Sequence, residues 1–315
     1  MRNLYRHPSY LFGDKPQLNT KKQFKAEIIK SLLYIILSSL VFTMFIYMFY
    51  FFNMAITKDH QNILAYLSSD TPMGLFFNYM LMMLSYYVVY YITFKRTNNI
   101  IKEIPQKEKV SVSQNKVLMC LIGFGFAMFG DIISYFVCEV TKVISKFFNP
   151  EIQQQVIEST TGGELQYSNF ETSILGFITY FVFVVIVPPI VEELIFRKVI
   201  YDHLNVFSPK VAILLSCGLF AVFHGNIQQA SFALFAGFGF VLVRKYTDSI
   251  YCCIITHAFV NLLAFVSQYF STNSVVLTIS NSFVIISAIF AILMFAFNTE
   301  LVNTLFKHTT VKERD

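Results

Sequence analysis

The stretch that decides the fold covers residues 174–200 and reads ILGFITYFVFVVIVPPIVEELIFRKVI. Its first part is dominated by apolar residues and predicts a membrane-spanning helix. Two adjacent carboxylates, Glu192 and Glu193, then follow, with Arg197 and Lys198 shortly after them. Because ionised carboxylates are costly at membrane depth, their presence indicates either a functional site or a structural ion pair.

The overall composition indicates an all-α, polytopic membrane protein. Hydrophobic residues make up 55% of the chain and charged residues only 14%, whereas soluble domains are about 25% charged. The net charge of +5 does not indicate a nucleic-acid partner, because the basic residues lie in short segments between apolar runs. The five cysteines lie in or beside those runs, so we expect neither disulfides nor a cysteine metal cluster.

A helix needs about 20 apolar residues to cross a bilayer. Eight segments approach this requirement and predict a bundle of about eight transmembrane helices, of which the fifth and sixth are short. Their approximate bounds are 31–55, 73–94, 117–139, 174–200, 210–225, 230–245, 249–268 and 276–297. The sequence GFGF occurs twice, at 123–126 and 237–240, and predicts close helix packing.

The charges between these segments predict the orientation of the bundle. Basic residues are concentrated in alternate loops, beginning with the N-terminal arm, so both termini should be cytoplasmic. We therefore divide the chain into a cytoplasmic arm (1–30), N-terminal transmembrane helices with an outer loop (31–170), a core (171–300) and a cytoplasmic tail (301–315). The protein should lie in the lipid bilayer as a multi-pass protein.

The carboxylate pair can divide two roles between its members. Glu193 and Arg197 are four residues apart on one helical face, so they can form an ion pair. Glu192 is rotated by about 100° from Glu193 and can point elsewhere. We expect Arg197 to hold Glu193, and Glu192 to point toward His224.

Two later helices supply further polar residues at the same four-residue spacing. Phe220 and His224 occur in FAVFHGN, and His257 and Asn261 occur in HAFVN. A carboxylate and two imidazoles can activate water, while an asparagine amide can stabilise an oxyanion. Alternatively, Glu192, His224 and His257 could hold a divalent metal such as zinc. Both schemes describe hydrolysis of an amide bond within the membrane.

The order of these motifs resembles the CPBP family, the Abi or type II CAAX prenyl endopeptidase family of intramembrane proteases. The matching patterns are E-E-x-x-x-R, F-x-x-x-H and H-x-x-x-N, within about residues 190–262. The resemblance implies that Glu192 and His224 activate water and that His257 and Asn261 stabilise the oxyanion. It implies a supporting role for Glu193 and Arg197, and leaves open whether a metal takes part.

The composition suits a bacterial plasma-membrane protein. In such bacteria the resemblance implies cleavage of bacteriocin leaders, self-immunity or pheromone processing.

Two alternatives to a protease remain at this point. A non-catalytic regulator would bind a membrane partner such as a sensor kinase, and a proton-coupled transporter would show an inverted repeat, which the sequence lacks.

Overall fold

The structure is a computed structural model, and it describes residues 20–57, 72–94, 110–112, 114–161 and 174–311. Most of the N-terminal arm, the end of the tail, most of the predicted first and second loops, and residues 162–173 of the outer loop lie outside the described residues. The orientation assigned to those segments therefore stays a prediction.

The described part of the chain is almost entirely helical. The helices are α1 (Thr20–Thr57), α2 (Pro72–Thr93), α3 (Lys116–Ser145), α4 (Pro150–Thr161), α5 (174–205), α6 (Pro209–Phe223), α7 (Ile227–Thr247), α8 (Ile250–Tyr269), α9 (Ser274–Phe297) and α10 (Thr299–Thr304). Two three-residue strands, β1 (Val110–Val112) and β2 (Thr309–Val311), pair in parallel.

The predicted all-α, polytopic membrane fold is confirmed, and each of the eight predicted segments falls on a helix. Within the described residues, six helices are long and apolar enough to cross a membrane: α1, α3, α5, α7, α8 and α9. Helix α6 is apolar but has only 15 residues, and α2 has 22 residues but is not among the six. The count of eight spans and the side of each terminus stay predictions.

Polar residues cap the helices that carry the candidate site. The side chains of Ser208, Asn226 and Ser249 accept hydrogen bonds from backbone N–H groups in the first turns of α6, α7 and α8. The first N–H groups of a helix have no partner within the helix, and no water is available in the bilayer core. These caps therefore allow the helices to begin at defined residues.

The two GFGF sequences pack against each other, as the sequence predicted. A Cβ atom on Gly239 would collide with the carbonyl oxygen of Gly123, and one on Gly123 would collide with the Val243 side chain. Gly125 approaches α9 equally closely, at the Ser287 carbonyl. Glycine is therefore required where α3 meets α7 and α9, because any side chain would separate their backbones.

The ends of the predicted inner loops meet at one end of the bundle. Asp202 at the end of α5 binds Lys198 at 3.1 Å and Arg244 of α7 at 2.9 Å. The Lys245 ammonium donates to the Lys307 carbonyl at 2.6 Å. Pairing of β1 with β2 brings residues 110–112, which belong to the predicted second loop, to the tail. Contacts among α5, α7 and the tail thus follow the predicted grouping of basic segments.

Candidate active site

Helix α5 is irregular on both sides of its two glutamates. It contains two π-helical segments, Val182–Ile186 and Leu194–Tyr201. The segment between them, Val187–Glu193, is α-helical and carries both glutamates at its end. π-Helical turns change the direction of side chains relative to a regular helix and are frequent at functional sites.

The two prolines of α5 explain the position of Asn261. The Val184 carbonyl would normally accept from residue 188 in an α-helix or from residue 189 in a π-helix, and both are proline, which has no N–H. The Asn261 side chain of α8 donates to this carbonyl at 2.9 Å. Asn261 therefore satisfies a buried acceptor that the proline pair leaves without a backbone donor.

Glu193 lies at the centre of a buried charged network. Its Oε1 is 3.1 Å from Nη1 of Arg197 and 3.0 Å from Nδ1 of His257. Glu193 and Arg197 are both 0% exposed, and His257 is 5% exposed. The predicted pairing of Glu193 with Arg197 is confirmed. Because a carboxylate oxygen only accepts, the proton of this hydrogen bond belongs to Nδ1 of His257.

Arg197 joins α5 to α6 and α7. Its Nη2 donates to the Gly237 carbonyl at 3.1 Å. The guanidinium lies over the Phe220 ring, 4.4 Å from the ring centre, and 5.1 Å from the centre of Phe240. A cation between two aromatic rings is stabilised by their π electrons in a site that excludes water. Arg197 thereby fixes the relative positions of three helices around Glu193.

Glu192 lies at the edge of this network beside His257, and its expected direction toward His224 stays a prediction. Its Oε2 is 3.9 Å from Nε2 of His257, and the residue is 9% exposed. No hydrogen bond or ion pair joins Glu192 to His224 in the described part of the chain. The carboxylate lies beside α8 because Glu193 holds the His257 ring there through Nδ1.

His224 lies at the C-terminal end of α6, where the chain turns sharply. Gly225 has a φ of 73°, a left-handed conformation that glycine adopts without strain, and Asn226 then begins α7. Nδ1 of His224 lies 2.8 Å from the Phe220 carbonyl. Since a carbonyl only accepts, Nδ1 carries the proton and Nε2 is left as an acceptor. This tautomer suits a base that takes a proton from water.

The sequence did not predict the part played by Phe240. Its ring stacks on His257 with centroids 4.6 Å apart and also faces Arg197. Gly237 and Phe240 are three residues apart on one face of α7, within the second GFGF. This three-residue spacing was the signal in the sequence that could have placed Phe240 near the site. The GFGF sequence was interpreted only as a helix-packing motif, so no role at the site was assigned to Phe240.

Tyr79 and Tyr86 of α2 were likewise assigned only to packing. Both lie within electrostatic reach of the Glu192 carboxylate. The Tyr79 ring stacks on Phe183 of α5 with centroids 5.7 Å apart. Nothing in the spacing of α2 residues could indicate this neighbour, because α2 and α5 are distant in sequence.

The predicted metal-binding set is not assembled in the structure. Within the described residues, no group of three or more His, Cys, Asp or Glu side chains is placed to hold a metal ion. Glu192 and His257 approach each other, but Nδ1 of His257 is already bound to Glu193. A zinc site needs its ligands gathered around one point. The arrangement therefore does not fit zinc, and no step below passes through a metal.

Residues 174–263 match the family model described as type II CAAX prenyl endopeptidase Rce1-like. The resemblance to the CPBP family is confirmed. The matched segment runs from the start of α5 into α8 and contains all six predicted site residues. No curated protein and no solved structure matches the chain. The family is one of proteases, which supports a peptidase activity for this multi-pass membrane protein.

Proposed function

We propose that the protein is an intramembrane endopeptidase that uses Glu192 to activate water. The strongest support comes from the buried network of Glu193, Arg197 and His257, which lies beside a second carboxylate, Glu192. A purely structural ion pair needs one glutamate. The additional carboxylate, at membrane depth and next to an imidazole, is the arrangement expected of a general base.

In this proposal the chain's own residues carry each step of peptide hydrolysis. Glu192 takes a proton from water as the water oxygen bonds to the substrate carbonyl carbon. His224 orients this water through Nε2. Protonated Glu192 then delivers the proton to the nitrogen of the departing amine as the carbon–nitrogen bond breaks. Asn261 keeps one amide N–H besides the one that binds Val184, and this N–H can donate to the oxyanion. Protonated His257 would add a second donor through Nε2.

The substrates we propose are membrane-associated peptides or membrane-protein segments in a bacterial plasma membrane. Bacteriocin or pheromone processing and self-immunity are the roles that the family resemblance suggests. A non-catalytic regulator that binds a membrane partner is the alternative, and the experiment below separates the two.

The test compares Glu192→Gln with the wild type, both purified and placed in liposomes. The amide keeps the shape of the carboxylate but cannot act as a base, so turnover should fall by at least about 100-fold with thermal stability unchanged. Glu139→Gln is the matched control, because Glu139 is an exposed glutamate of α3 paired with Lys142. Cleavage is followed by mass spectrometry of membrane peptides. Full cellular function in Glu192→Gln cells would favour the regulator.

Metal use is tested on the same purified protein. Activity that survives a strong chelator would support water activation by Glu192 and His224 alone. Loss of activity with recovery on adding zinc would instead assign Glu192, His224 and His257 to a metal that gathers them.

A further inference from the structure

A cavity of about 600 Å³ lies between α1, α2 and α5. Its walls include Met83 and Tyr86 of α2 and Val191, Leu194, Lys198 and His203 of α5. Its volume is typical of ligand-binding sites, which are about 300–1,000 Å³. The F-x-x-x-H motif of α6 and the H-x-x-x-N motif of α8 do not line this cavity, so the family motifs do not indicate what the cavity binds.

The cavity is elongated along α5. Its α5 residues recur three and four positions apart between Val191 and His203, which places them in one stripe on the helix. At about 1.5 Å per residue the stripe is at most about 18 Å long. An extended peptide advances about 3.3–3.6 Å per residue. The stripe therefore has the length of about five extended residues.

One end of the cavity adjoins the proposed catalytic base. Val191 precedes Glu192, and Tyr86 lies within electrostatic reach of the Glu192 carboxylate. Tyr86 is 4% exposed, and its hydroxyl meets no described partner in hydrogen-bond geometry, although Ser39 lies nearby. A buried hydroxyl in this position can donate to a ligand without first breaking another strong hydrogen bond.

The other end and the open side of the cavity indicate what could enter. Lys198 is paired with Asp202, and Asp202 also binds Arg244, so among the described residues that line the cavity the Lys198 ammonium is matched by a carboxylate. Met83 and Leu194, which are 45% and 42% exposed, border an open side among apolar surfaces. Apolar walls, one available hydroxyl and a charge-balanced end suit a peptide backbone with apolar side chains.

We propose that this cavity binds about five residues of an extended, apolar peptide on the Lys198 side of the scissile bond. The inference rests on the proposed function, because it places the bond to be cut next to Glu192. Tyr86 then acts as a positioning residue that donates to the peptide backbone. The exposed pair Met83 and Leu194 borders the opening through which the peptide enters.

A matched pair of methionines on α2 tests the cavity. Met83 lines it, whereas Met80, one turn earlier and 42% exposed, does not. The probe is a quenched-fluorescent library of apolar synthetic peptides in phosphatidylcholine liposomes. Met83→Trp should raise KM by about tenfold while changing kcat little, and peptides with alanine at the affected position should recover. Met80→Trp should match the wild type. Equal effects of the two substitutions would overturn the proposal.

Crosslinking separates a failure of the cavity from a failure of the protease. Benzoylphenylalanine is placed at position 83 or 80 of full-length Glu192→Gln protein, and a labelled library peptide is added before irradiation. Peptide attached only at position 83 supports peptide binding in the cavity. If the wild type at the same time cleaves no peptide, the protease function fails and the cavity assignment does not. If position 83 attaches lipid and no peptide while cleavage still depends on Glu192, the proposed peptide-binding role of the cavity is wrong and the protease function is retained.

Discussion

The two adjacent glutamates occupy different electrostatic surroundings although they share one helix turn. Glu193 is fully buried between a guanidinium and an imidazole, while Glu192 keeps a 12% exposed side chain at the edge of the network. Oε1 of Glu193 contacts both Arg197 and His257, so this carboxylate serves to position those two side chains. Glu192, at the edge of the network, can reach both water and substrate. We therefore expect Glu193 to support the site and Glu192 to act in the reaction.

Removing Arg197 should destabilise the protein as well as inactivate it. Arg197→Ala leaves Glu193 buried without its cation, and breaking such a pair costs about 3–5 kcal/mol. The matched control is Lys198→Ala, because Lys198 is the next residue and its side chain is 58% exposed. Denaturation in detergent measures the loss. Equal stability of the two variants would show that the buried pair is dispensable.

Asn261 should be coupled energetically to Pro188. Asn261→Ala leaves the Val184 carbonyl without its donor, which costs about 1–3 kcal/mol. Pro188→Ala introduces an N–H four residues after Val184 and should recover part of that loss in the double variant. Activity should stay low in the double variant, because the proposed oxyanion donor is still missing.

A double-mutant cycle with both readouts checks this coupling. The stabilities of the two single variants and the double variant are measured in detergent, together with peptide cleavage. Strictly additive stabilities would mean that the proline pair does not explain the Asn261 contact. Recovery of cleavage along with stability would remove Asn261 from the proposed chemistry.

Among the elements, the sequence predicted the long helices better than their irregularities. Apolar length alone located eight helical segments, because spanning helices must satisfy every backbone group internally. The first π-helical segment of α5 is bound by Asn261 of α8 at the Val184 carbonyl, and the pattern within one helix does not contain such a contact between helices. For the same reason the four-residue spacings predicted the Glu193–Arg197 pair, while the direction of Glu192 depended on where α8 placed His257.

Helix α4 shows a second limit of prediction from the sequence. It lies in the segment interpreted as an outer loop, and its sequence, PEIQQQVIESTT, is polar and lacks a spanning pattern. Its 12 residues are too few and too polar to cross a membrane, so the charge and length rules that locate spans do not detect it.

Close packing of α3 on α7 should be essential for stability. Gly239→Ala places a Cβ against the Gly123 carbonyl, and overpacking of this kind costs about 1–3 kcal/mol. Gly218→Ala in α6 is the control, because a Cβ there meets nothing within 4 Å. Thermal denaturation in detergent should show a lower Tm for Gly239→Ala alone. A Gly239→Ala protein as stable as the control would contradict the predicted requirement for glycine.

At the scale of the molecule, the candidate site and the family match are confined to the second half, while the first half shapes access to it. The match covers residues 174–263, and every predicted site residue lies there. Helices α1 and α2 contribute the far wall of the cavity beside Glu192. No motif was found in this half, because an apolar wall can be built from many different side chains.

The arrangement of the bundle ends predicts which segments share a side of the membrane. Because β1 pairs with β2, residues 110–112 and the tail lie together, and both belong to segments rich in lysine. Reporter fusions at Lys107 and Lys307 should therefore report the cytoplasm, as the positive-inside rule requires. A fusion at Gly162, which lies three predicted spans from the N-terminus, should report the opposite side. Matching signals from Lys107 and Gly162 would rule out the alternating arrangement.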